Sequence, residues 1–62
     1  MILQVNRFNH DQGKNFSKCN EWILKNSGII EVKDIQLRIG NSGEEFALLF
    51  YFIKPEDVGK LE

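Results

Sequence analysis

Sixty-two residues, 42% of them hydrophobic, make one domain near the lower limit at which a chain buries enough surface to offset its conformational entropy. Eight basic and nine acidic residues leave a net charge of −1, which argues against a protein that holds DNA or RNA by neutralising phosphates along its length. A single cysteine excludes an internal disulfide, and with the single histidine it supplies too few ligands for structural zinc, so the missing stability points to a homodimer.

The opening Met-Ile-Leu turns polar without the basic stretch and apolar run of a signal peptide, and the expected location is the cytoplasm. Ile2 to Phe8 reads as a first strand, with Leu3 and Val5 on one face and Gln4 and Asn6 on the other between Ile2 and Phe8. Asn9 and Gln12 have the spacing of a capping box, so the helix is expected to start there, with Gly13 costing about 1 kcal/mol in its first turn. Phe16, Cys19 and Ile23 fall on one stripe that should face the sheet. Leu24 widens the apolar arc on one side, and Trp22 takes its border, open to a partner subunit or a ligand.

Asn26-Ser27-Gly28 should end the helix, with Gly28 as a left-handed C-cap. Ile29 to Ile39 is a second strand whose alternation changes phase: Ile30 and Val32 have one parity, Ile35, Leu37 and Ile39 the other. An extra residue near Lys33-Asp34, a β-bulge, would restore one face. Gly40-Asn41-Ser42-Gly43 is a hairpin turn by composition. The stretch Phe46 to Ile53 is a core strand, too short to span a membrane and apolar on both faces. Pro55 ends it, and Val58 and Leu61 are the apolar contacts of the remaining residues.

The expected fold is therefore α+β: a β-α-β-β protomer with a three-stranded sheet and one helix over residues 1–54, followed by a polar C-terminal tail over 55–62. One helix covers one sheet face, and nothing in the chain covers the other. Two copies packed through that face and the Trp22 edge would hide it and leave a cleft at their seam.

Cys19 reads as core filler or, less simply, as a reactive thiol. His10 is either a solvated first-turn residue or a ligand contact. Arg7, His10, Gly13 and Lys14 around the helix start could hold a phosphate. Gln36 and Arg38 are either a solvated strand face or the lining of a cleft. Trp22 and Tyr51 are packing residues or rings that stack on a base. The carboxylate pairs Glu44-Glu45 and Glu56-Asp57 read as solubilising charge. No catalytic constellation, metal site or cofactor motif emerges, so the chain is expected not to be an enzyme.

In Ile2, Val5 and Phe8, in Asn20-Glu21-Trp22-Ile23-Leu24, in Val32-Lys33-Asp34-Ile35-Gln36 and in the aromatic strand through Tyr51, residues 1–53 resemble the small sporulation proteins of Bacilli made in the mother cell. Asn9-His10 stands where an acidic run is expected after Phe8. Short proteins of this look also occur in phages of Bacillus and its relatives. Some compact homodimeric phage proteins are sponges that sequester nucleotide signals of host immunity, such as cyclic ADP-ribose isomers, and this chain is similar in kind.

That second resemblance implies stoichiometric binding without turnover in the cytoplasm of a bacterial host. The preferred expectation is a small anionic nucleotide held in the dimer cleft by Arg7, His10, Lys14, Trp22, Gln36, Arg38 and Tyr51, with no DNA, RNA or membrane partner. The alternative is a sporulation or protein-interaction factor with no small-molecule ligand.

Overall fold

Side chains alternate along a strand, so pairing register decides which residues share a face. The computed structural model describes residues 1–11 and 15–62. In chain order it contains β1 (Ile2–Asn9), α1 (Ser17–Lys25), β2 (Ile30–Ile39), β3 (Glu45–Ile53) and a short 3-10 helix (Pro55–Lys60). All strands are antiparallel in the order β1-β3-β2. The fold is α+β with the β-α-β-β order read from the sequence, and the apolar stretch is the central strand.

β2 slips register between Val32 and Asp34, where the change of phase called for a bulge. Across it, Val32 pairs with Tyr51 and Ile35 with Leu49, so Ile30, Val32, Ile35, Leu37 and Ile39 all fall on one side. That side is the helix side. Cys19, Leu49, Tyr51 and Ile53 form its core, packed by Phe8, Phe16, Trp22, Ile23, Ile29, Ile30, Val58 and Leu61. The hairpin turn forms as composed, with Gly43 at φ +83° and its N–H donating to the Gly40 carbonyl at 3.0 Å.

The helix ends at Asn26-Ser27-Gly28 as expected, but its start and both its caps differ from expectation. The Asn9 backbone is still in the ladder opposite Phe46, and the His10 N–H donates to the Glu45 carbonyl at 3.0 Å, so sheet pairing claims the residue expected as the N-cap. The other capping-box residue, Gln12, lies outside the described residues, as do Gly13 and Lys14. Asn15 and Phe16 turn through the left-handed region, at φ 45° and 59°, before α1 begins at Ser17. The Asp11 carboxylate then receives the Ser17 hydroxyl at 3.1 Å and the Lys18 N–H at 3.3 Å, which serves the open first turn as a cap would.

At the other end Asn26, not Gly28, is the C-cap, with φ −107°; Gly28 does not take positive φ. The Asn26 side chain is 2% exposed. Its amide donates to the Trp22 carbonyl at 2.8 Å, and its oxygen accepts the Glu62 N–H at 3.0 Å, fastening the C-terminal tail to the helix.

One helix of nine residues is too narrow for a three-stranded sheet. Trp22 sits against Phe8 and Tyr51, so α1 lies over β1 and β3, and of the helix-side residues of β2 only Ile30 packs on the core, while Val32, Ile35, Leu37 and Ile39 are exposed, Ile39 at 74%. Leu24 is also exposed, and adds nothing to the covered arc expected of it.

Candidate functional site

On the sheet face away from α1 the register builds four rows. Asn9, Phe46 and Arg38 form the first, and Arg7, Leu48 and Gln36 the second. Val5, Phe50 and Asp34 make the third, and Leu3, Phe52 and Glu31 the fourth. Down the middle run the four β3 side chains Phe46, Leu48, Phe50 and Phe52, each half-buried by its flanks. Beside them Leu3 and Val5 are 51% and 55% exposed, and α1 and the tail pack on the opposite face. Among the described residues nothing lies over this surface.

Charge is sorted along it. The two rows nearest the hairpin hold Arg7 and Arg38, and the two furthest hold Asp34 and Glu31. The Arg7 guanidinium lies 3.9 Å from the Phe46 ring centroid, a cation–π seat, and its Nε–H donates to the Asn9 side chain at 3.4 Å. On β2 the Arg38 guanidinium donates to the Gln36 carbonyl oxygen, and the Gln36 amide donates to Asp34 at 3.3 Å. Asp34 also accepts the Ile35 N–H at 2.9 Å. This relay holds Arg38 at the hairpin end of the β2 margin, and Glu31 stands on the same face at the other end.

The residues expected to bind a nucleotide are thus divided between two faces. Arg7, Gln36 and Arg38 share the open one. Tyr51 belongs to the core, 3% exposed, with its hydroxyl donating to Gln4 at 2.9 Å, and Trp22 packs on it at 5.1 Å between ring centroids. Trp22 is therefore the lid of the core and not a border residue, and neither ring is presented to a ligand on the open face.

His10 follows β1 instead of opening the helix. Its Nε2 lies 3.0 Å from the Asn15 side-chain oxygen and 3.8 Å from a Glu45 carboxylate oxygen, and its ring meets Phe16 edge-on at 5.1 Å. Lys14 lies outside the described residues, and the first turn of α1 already faces the Asp11 carboxylate. An open hollow of about 470 Å³ at the hairpin end is lined by Arg7, Asn9, His10, Gly43, Glu44 and Glu45. Its two carboxylates oppose the entry of an anion there.

Cys19 is buried as core filler, and burial pushes its thiol pKa up, away from a reactive thiolate. Burial likewise raises the Tyr51 phenol. Among the described residues no three histidine, cysteine or carboxylate side chains gather to hold a metal ion, and no helix is long and apolar enough to cross a membrane.

Neither Phe46 as a seat for Arg7, nor Glu31 and Asp34 as companions of Arg38, was expected from the sequence. The signal was present in the bulge. Counting past Lys33 as an unpaired residue puts Glu31, Asp34, Gln36 and Arg38 on one face. No protein-family model, curated protein or solved structure matches the chain.

Proposed function

We propose that the chain is a non-catalytic interaction factor that works as a homodimer through the uncovered face of its sheet. The observation that carries this reading is the two-sided apolarity of β3. Ala47, Leu49, Tyr51 and Ile53 fill the core, while Phe46, Leu48, Phe50 and Phe52 have only their own flanks for cover. A patch of four large apolar residues widened by Leu3 and Val5 is of the kind that marks an interaction surface. The reading asks no chemistry of the buried thiol or the bonded phenol.

Sedimentation at micromolar concentration tests it. Wild type is expected to run as a dimer and Phe50→Lys as a folded monomer, because Phe50 lies outside the helix-side core. Leu37→Lys, on the exposed helix-side strip of β2, should leave the dimer intact. A well-folded wild-type monomer would overturn the proposal.

A second reading keeps the anionic nucleotide and moves its site. Arg7 seated on Phe46, with Arg38 on the same row as that ring, offers two guanidiniums beside an aromatic platform, suited to phosphates. Saturation at 100 times the dissociation constant would add about 2.7 kcal/mol of stability. A thermal shift with a nucleotide that Arg7→Ala and Arg38→Ala both abolish would make this the better reading.

A further inference from the structure

A face that hides itself against a second copy must be complementary to itself under a two-fold rotation. For two sheets packed face to face, that axis lies in the plane between them, and two limiting directions exist. With the axis along the strands, β1 of one copy lies over β2 of the other at the same level. Glu31 then covers Leu3 and Asp34 covers Val5, so four carboxylates are pressed onto apolar side chains with no cation at their own level, which is costly.

With the axis across the strands, β2 faces β2 and the rows run in reverse. Arg38 then meets Glu31 of the second copy and Gln36 meets its Asp34, each contact occurring twice. Phe46 meets Phe52 and Leu48 meets Phe50 along the middle, and Val5 lies beneath the aliphatic stem of Arg7. The ordinary twist between aligned sheets, about 30°, shifts these levels without exchanging them.

We infer that the partner on this face is a second copy turned about an axis perpendicular to the strands, locked in that orientation by two reciprocal Arg38–Glu31 pairs at the β2 margin. The inference rests on the homodimer reading and adds its geometry. Arg38 and Glu31 are both exposed in the protomer, and the Gln36–Asp34 relay already holds Arg38 in place, so little ordering is left to pair it. Charge pairs at a margin choose between orientations more than they add affinity.

Reversal of charge tests the arrangement by sedimentation equilibrium, with melting of each variant in dilute solution as the folding control. Arg38→Glu and Glu31→Arg are each expected to raise the dimer dissociation constant on the order of tenfold, since both pairs turn from attraction to repulsion. The double variant Arg38→Glu with Glu31→Arg should return to within about threefold of wild type. If wild type dimerises and Phe50→Lys abolishes the dimer, but the double variant is no better than the worse single one, the arrangement is wrong and the homodimer reading stands. A wild-type monomer removes both.

Discussion

Asn26 does at the residue scale what a larger protein would give to a second helix. Its two part-buried hydrogen bonds join the last turn of α1 to the final residue of the chain, and so hold Val58 and Leu61 against the core. Asn26→Ala leaves the Glu62 N–H without this partner and the Trp22 carbonyl with the residue-26 backbone N–H alone, at a cost of about 1–3 kcal/mol. Urea unfolding measures the loss, and a change below about 0.5 kcal/mol would show that water replaces both bonds. Nothing in the triplet Asn26-Ser27-Gly28 distinguishes a buried asparagine from a turn asparagine, because the partner that buries it arrives 36 residues later. Trp22 and Tyr51 were illegible for a related reason. Parity put Tyr51 with Leu49 and Ile53, but both faces of β3 are apolar, and the pattern does not say which one the helix takes.

Elements were easier to read than their ends. Strand periodicity, the phase change at Lys33 and the glycine-rich turn are local signals, and each is realised. The start of α1 is set by competition: β1 continues its ladder to Asn9 because β3 offers a partner that far, and the helix begins eight residues later. Asp11 takes over the capping role from outside the helix. Asp11→Ala should cost about 1 kcal/mol of stability, and Asp11→Asn, which keeps an acceptor, clearly less. Hydrogen exchange at the Lys18 amide reads the local effect, with faster exchange expected in the alanine variant. Equal loss in both variants would assign the effect to the charge, which the exposed Lys18 ammonium at 3.7 Å also meets.

At the scale of the whole molecule, the core is thin, α1 and the short 3-10 helix on one face of a sheet within extents of 37 × 20 × 17 Å, and its buried ionisable groups couple it to alkaline pH. Burial raises the Cys19 thiol and the Tyr51 phenol, so the folded chain keeps protons that the unfolded chain has released. Their contribution is constant below the ordinary thiol value of 9.0 and is lost as pH rises past it towards the raised folded values. Melting midpoints should therefore hold level to about pH 8.5 and then fall, with the onset of the fall delayed in Cys19→Ala towards the range in which a phenol ionises. A wild-type profile flat to about pH 10.5 would contradict the burial of both groups.

The unpaired residue in β2 also bears on growth. Among the described residues β1 and β2 each have one neighbour, and β2, ten residues long with an exposed apolar strip on its helix side, is the edge most apt to recruit further strands into an open-ended fibre. The bulge at Lys33 interrupts the regular spacing of its outward N–H and C=O groups and adds a cation in the middle of that edge. The same insertion that gathers Glu31, Asp34, Gln36 and Arg38 onto the open face thus discourages a ribbon from forming along the rim.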